Sequence, residues 1–298
     1  MKIALCLSGY FGSTANPSSD GSRGFEYIKK TLLELYNIDV FVHTWDGKNE
    51  ALIKNLYKPW LKDIVYEEQL LFKSEVDTIS KNERYFKQYG NPPSTPFLML
   101  SQAYSRKKSI NLKKHYEKKN NILYDAVIYS RFDLGIRDIH ASEIYRCCEI
   151  VFSSNFDMKY FYSKFWNQLN QGFGDMWFYS NSENMDTYST YFDKLVNYLN
   201  PNSEYITSAA NGWFDSNANS EFSGEMLKQT NRSSILTKFL PNWAYCNNHM
   251  LIKWFLKDVS LYEKCLFPVD NKRFSYIDKD YLNQSNINPN KVALLKNI

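Results

Sequence analysis

Three short apolar runs constrain this chain most, because each stops abruptly at polar residues or glycine. Ile3–Leu7 ends at Ser8-Gly9, Ile38–His43 (broken only by Asp39) leads into Thr44-Trp45-Asp46, and Ala126–Tyr129 runs into Arg131-Phe132-Asp133. Apolar runs of this length read as strands buried on both faces. Between the first two, Phe25, Ile28, Leu32 and Leu35 recur at helical spacing. Strand, loop, helix and strand in that order open a doubly wound α/β sheet. Ligands of such sheets sit outside the carboxyl ends of the strands, so the residues closing each run are the first candidates for a site.

The remaining pattern fills out a mixed α/β domain. Asp46–Lys62 reads as a helix, Ile64–Tyr66 as a short strand, and Phe72–Pro96 as an irregular loop ahead of a helix at Phe97–Lys118. Glu149–Ser153 and Asp175–Tyr179 read as strands, with an aromatic loop or short helix between them at Phe156–Phe173. Met185, Tyr188, Phe192, Leu195 and Leu199 keep one helical stripe, and Asn247-Asn248 precede a last helix through Met250, Leu251, Trp254 and Phe255. The expected organisation is a single domain over residues 1–275, followed by a polar, Asn-rich tail at 276–298.

Composition narrows the function classes. A net charge of +4 from 36 basic and 32 acidic residues is too weak and dispersed for nucleic acid, and it suits a small anionic ligand or loose contact with an acidic membrane surface. The five cysteines include the adjacent Cys147-Cys148 and show no zinc spacing, which fits a reducing, cytoplasmic setting. No apolar run reaches bilayer length, and the apolar part of MKIALCLSGY is too short for a secretory signal. Tyr and Trp suit sugar stacking, but most of the 17% aromatic content is expected to be core.

Four strand ends carry candidate chemistry. Ser8, Gly9 and Tyr10 fit either a nucleotide loop or a plain turn. Thr44 and Asp46 fit base or ribose contacts, or a helix cap beside a core Trp45. Arg131 and Asp133, with Asp138 further on, fit a metal-bound diphosphate, or a pair that only fixes a loop. Asp175, in Gly174-Asp175-Met176-Trp177, fits a base or an acceptor contact, and His249 a further metal ligand. Neither GxGxxG nor GxxxxGK[ST] is present, and no GxSxG or HExxH supports a hydrolase.

The segments IALCLSGYFG, DVFVHTWD, LSQAYSRKKSINLKKHYE, YDAVIYSRFDLGI, GFGDMWFYSNSENMD, NNHMLIKWFL and FPVDNKRF follow one another in this order. In that order the chain resembles bacterial glycosyltransferases of the GT-A type, found in capsule and lipopolysaccharide assembly. The resemblance implies a Rossmann-like GT-A fold with a mixed, mostly parallel sheet flanked by helices. It implies a nucleotide-sugar half at 1–140 and an acceptor half at 141–275. It puts Asp133 in the place of the usual Asp-x-Asp metal motif, with Mn²⁺ or Mg²⁺ as the ion and Arg131 beside it. It makes Ser8, Gly9 and Tyr10 nucleotide contacts, sets Gln102 and Arg106 near the donor, and gives Asp175 the acceptor. The implied partners are a nucleotide-sugar donor and a glycan or lipid-linked glycan acceptor. The implied location is cytoplasmic, with room for peripheral contact at the inner membrane. Two departures stand out: Tyr10-Phe11 occupy the place of a basic residue, and Asn247-Asn248-His249 that of a glutamate. The alternatives are a capsule-modifying transferase of a phosphoryl-type group and a non-catalytic glycan-binding protein on the same fold.

Overall fold

Ile3, Ala4, Leu5, Cys6 and Leu7 are fully buried in the computed structural model, as a strand covered on both faces requires. The structure describes residues 1–12, 20–80, 95–135, 149–164, 173–210, 248–270 and 292–295. The chain folds into two compact units, each drawn from separated stretches. The first comprises Met1–Leu71, Ser101–Lys164 and Asp175–Phe192; the second comprises Phe72–Leu100, Phe165–Gly174 and Asp193–Ile298.

The first unit is built on a mixed sheet of β1 (Ile3–Gly9), β2 (Ile38–Thr44), β3 (Leu61–Tyr66), β4 (Ala126–Arg131), β5 (Phe161–Ser163) and β6 (Trp177–Ser180). Their spatial order is β3-β2-β1-β4-β6-β5. The pairs β1–β2, β2–β3 and β1–β4 are parallel, whereas β6 runs antiparallel to both β4 and β5. The chain therefore steps from β1 outward to β2 and β3, then returns to β4 on the other side of β1. That reversal is a topological switch point, and its carboxyl ends are Ser8-Gly9 and Ser130-Arg131.

The helices are α1 (Gly21–Ile28), α2 (Glu50–Tyr57), α3 (Lys73–Ser80), α4 (Pro96–Asn120), α5 (Ser182–Ser189), α6 (Tyr191–Tyr198), α7 (Glu204–Ala210) and α8 (Asn248–Asp258). Asp20 caps α1 by accepting a hydrogen bond from the Ser22 amide, and Asn181 caps α5 through the Asn184 amide. Within the first unit α4 lies on the sheet: Phe41 meets Tyr116 ring to ring, and Arg106 stands over the ring of Tyr129. Tyr188 of α5 packs against Phe178 and Phe161. The aromatic content is used largely as core, in the stack Trp177–Tyr179–Tyr162–Phe156.

Several elements depart from the sequence reading. A π turn at Lys29–Leu33 follows α1 and shifts the phase of the stripe, so Leu35 ends 64% exposed rather than buried. Lys73–Ser80 is a helix inside the stretch that reads as an irregular loop, with Ile79 buried. Glu149–Ser153 is not a strand. Its carbonyls instead serve side chains, Glu149 accepting from Trp177 Nε1 and Val151 from the Tyr179 hydroxyl. Phe161–Ser163 is a strand inside the stretch that reads as loop or short helix. The single stripe from Met185 to Leu199 is two helices parted at Thr190. In the second unit β7 (Cys265–Asp270) pairs in parallel with β8 (Val292–Leu295), whose apolar VALL interrupts the polar tail. Cys147, Cys148, Cys246 and Asp138 lie outside the described residues.

The loop after β4 depends on Gly135. Its φ is +79°, and a Cβ there would lie 2.1 Å from Tyr27 Cγ. The Tyr27 ring cannot easily yield, because its hydroxyl accepts the Ile150 amide at 3.0 Å. Gly135→Ala is expected to cost about 2–4 kcal/mol, from left-handed strain plus overpacking. Urea unfolding checks this.

Candidate functional site

Parallel registry sets three side chains in a row at the carboxyl end of the sheet. Ser8 pairs with His43 on one side and with Arg131 on the other. Residues in register on neighbouring strands share a face, and this is the face on which α4 lies. Ser105 and Arg106 of α4 meet this row or the strand beside it, and Gln102, one helical turn earlier, reaches Asp175 just ahead of β6.

Arg131 and Asp133 form a bidentate pair, Nε to Oδ1 at 2.9 Å and Nη2 to Oδ2 at 2.5 Å. Their side chains are 36% and 24% exposed, so solvent can reach both. Burial opposes the charge on Arg131, but Asp133 and Asp175 outweigh it and raise its pKa further. Asp175 accepts from Gln102 Nε2 at 2.9 Å, and the amide of Arg131 donates to the carbonyl of Met176 at 3.3 Å. Arg131, Asp133, Asp175 and Gln102 thus come from a strand end, the following turn, the bend ahead of β6 and α4 into one cluster.

Gly9 has φ +110°, a conformation that favours glycine, and Tyr10 beyond it is 65% exposed. Phe11 and Phe132 touch edge to face with centroids 5.3 Å apart. The loops after β1 and β4 are therefore neighbours.

The other candidates are placed differently. Thr44 is buried and its hydroxyl accepts the Asp46 amide at 3.0 Å, while Asp46 accepts from Asn49 Nδ2 at 2.6 Å. Their polar atoms are taken up inside the loop, and Trp45 stacks on Tyr104. His249 belongs to the second unit, where its carbonyl accepts the Phe173 amide at 3.1 Å. Arg106 is only 1% exposed. Its guanidinium faces the rings of Tyr129, Phe178, Tyr188 and Tyr191, and it donates to the Tyr188 hydroxyl. Contacts of this kind contribute roughly 0.5–2 kcal/mol each.

A second cluster lies at the end of β2, which sequence reasoning did not find. The buried His43 ring contacts Ser105 Oγ at 2.7 Å through Nδ1 and Glu67 Oε2 at 3.0 Å through Nε2. Burial opposes the charge on Glu67, but hydrogen bonds from Lys108 and His43 outweigh it and hold the carboxyl below its ordinary value. The carboxylate only accepts, so Nε2 carries the proton and Nδ1 accepts from Ser105. The helical spacing of Ser105 and Lys108 was visible in the sequence, but Glu67, just past β3, carried no signal.

Burial lowers the pKa of His43 against the opposing pull of Glu67. The folded state therefore binds fewer protons here than the unfolded chain. This contribution to stability is complete above the unfolded value of about 6.5 and is lost as pH falls towards the folded value. The thermal midpoint is expected to drop on acidification from about pH 6.5 to pH 5, and to drop less in His43→Gln. Midpoints measured across that range check it.

Among the described residues there is no group of three or more His, Cys, Asp or Glu suited to a metal ion. Also among them, no helix is long and apolar enough to cross a membrane. A comparison with protein-family models found no match, and comparisons with curated proteins and with solved structures found none either.

Proposed function

We propose that the chain is a glycosyltransferase of GT-A type, moving a sugar from a nucleotide-sugar donor to a bacterial surface glycan. The observation that carries this reading is the placement of Arg131 and Asp133 at the carboxyl end of β4. There they flank the switch point beside Ser8 and Gly9, with Asp175 in the same cluster. A departing diphosphate needs positive charge at such a rim, and a preorganised guanidinium supplies it where the charge develops.

The donor set fits a divalent cation only if ligand oxygens and water fill most of its positions. Among the described residues Asp133 is the one carboxylate in the turn after β4, and each of its oxygens keeps a lone pair beyond the bond from Arg131. Mn²⁺ or Mg²⁺ held by Asp133 would neutralise charge on the diphosphate. Arg131 then faces the phosphate oxygens while Asp133 fixes its plane. Tyr10, exposed beside Gly9, offers a ring for stacking. Asp175, oriented by Gln102, receives the acceptor hydroxyl and either positions it or takes its proton.

A second reading, a non-catalytic glycan-binding protein, is favoured by the closure of the Arg131–Asp133 pair on itself. Release of nucleoside diphosphate from a panel of nucleotide sugars, with oligosaccharide acceptors, separates the two. The transferase reading expects acceptor-stimulated release. The binding reading expects glycan affinity with none.

A further inference from the structure

The amino end of the parallel strands, opposite the candidate site, has a surface of its own. Backbone bonds gather four segments there. The Ile3 amide donates to the Asn37 carbonyl at 3.0 Å, the Asp125 amide to Lys2 at 3.0 Å, and the Val40 amide to Trp60 at 2.9 Å. These segments lead into β1, β2, β3 and β4, so Met1, Leu35, Trp60 and Leu123 stand around one edge of the sheet. Leu123 is 73% exposed, Leu35 64% and Met1 45%. Single exposed leucines are ordinary, but large apolar side chains gathered at one edge mark a surface that meets something. Lysines accompany them. Lys118 and Lys119 close α4 ahead of Leu123, and Lys58 follows α2 ahead of Trp60. All three are exposed, and none pairs with a carboxylate among the described residues. The acidic groups at this edge are largely taken. Asp39 is buried between Lys2 and Lys62, Glu34 faces Lys29 at 3.6 Å, and Asp125 accepts the Lys2 amide at 2.6 Å. Asp63, on β3, is exposed.

We infer that this edge docks on an anionic lipid bilayer, with the lysines against the headgroup phosphates and Leu35 and Leu123 entering the boundary between headgroups and acyl chains. Charge decides the occupant. A second copy of the chain docking here would set the same lysines against one another. An anionic leaflet attracts each of them, over about a Debye length. Apolar insertion and a basic patch are the two signals that together hold a protein on a membrane, where either alone gives only marginal binding. Trp60, half-buried beside them, suits the headgroup level. β1 is seven residues long, so the candidate site at its other end stands about 20 Å from the lipid. Under the transferase reading, transfer takes place at that height, on the part of an acceptor that projects from the leaflet. The docking surface itself does not depend on that reading.

Vesicles of phosphatidylcholine alone, and of phosphatidylcholine with about one-third phosphatidylglycerol, are the probe. Co-sedimentation of the full chain at low and high salt reads the binding. Wild type is expected to bind the anionic vesicles at least about tenfold more tightly than the neutral ones, and to lose most of that gain at high salt. Lys118→Gln/Lys119→Gln should weaken anionic binding about tenfold and flatten the salt dependence. Leu35→Ser/Leu123→Ser should weaken it about tenfold and leave the salt dependence in place. All four side chains are exposed, so the urea midpoint should stay where it is in both variants. Absence of binding, equal binding to both kinds of vesicle, or binding that both double variants leave untouched overturns the inference. So does a wild type that dimerises in solution and becomes monomeric in Leu35→Ser/Leu123→Ser, which assigns the edge to a second copy. Lipid binding without turnover of any nucleotide sugar leaves the docking surface standing and removes the transferase reading. Turnover by a chain that binds no vesicle does the reverse.

Discussion

Asp133→Ala is expected to lower nucleotide-sugar turnover about 10²- to 10³-fold, the usual scale for losing a group that stabilises developing charge. It should leave the fold intact. The Arg131–Asp133 pair is part exposed on both sides, so solvent screens it, and its loss costs roughly 0–1 kcal/mol. The Arg131 guanidinium also keeps Asp175 as a nearby opposite charge. The substitution therefore separates chemistry from stability. Steady-state release of nucleoside diphosphate, measured beside a urea unfolding curve, gives both numbers. A large loss of stability would mean that the pair is a structural clamp. Unimpaired turnover would remove Asp133 from the chemistry.

Lys113→Met is expected to have the largest effect on stability. Lys113 is fully buried on α4, two turns beyond Arg106, and its ammonium reaches Glu117 at 3.0 Å, Asp186 at 2.6 Å and Ser182 Oγ at 2.6 Å. Glu117 in turn accepts the Tyr124 amide at 3.0 Å just before β4 begins, and also the Ser182 hydroxyl. Every proton of the ammonium has an acceptor, so the network ties α4, α5 and the approach to β4 together. Methionine fills the volume but leaves Glu117 buried without its cation, while Asp186, part exposed, keeps Lys114 at 3.5 Å. Breaking such a pair costs about 3–5 kcal/mol. Urea unfolding should show that loss, partly restored when Glu117 and Asp186 are also replaced by apolar or amide residues. A loss under about 1 kcal/mol would mean that water reaches the network.

What the sequence revealed and what it hid divide along physical lines. The β1, β2 and β4 strands were legible because a short, nearly unbroken apolar run has one stable fate in a chain this long. Their polar ends were legible for the same reason, and Arg131, Asp133 and Asp175 do come together. Phe161–Ser163 escaped because three residues carry no period, and its pairing with β6 is set by neighbours far along the chain. Leu35 was misread because a π turn adds a residue to the helix without altering its composition. Thr44 and Asp46 were open between ligand contact and local capping, and in the fold they bond to their own loop. The cluster of His43, Ser105 and Glu67 could not be read, since Glu67 reaches His43 only after β2 and β3 pair. The resemblance sets Arg106 near the donor, and only the packing of four aromatic rings marks it as buried.

The central claim is that Ser8, Gly9, Arg131 and Asp133 receive the diphosphate of a nucleotide sugar at the β1–β4 switch point. Calorimetric titration of the chain with UDP-, GDP-, CMP- and dTDP-sugars, with and without Mn²⁺, tests it most directly. One nucleotide class is expected to bind, more tightly with the metal, and to lose that metal-dependent gain in Asp133→Ala. Absence of binding across the whole panel, or binding that Asp133→Ala leaves untouched, would contradict it.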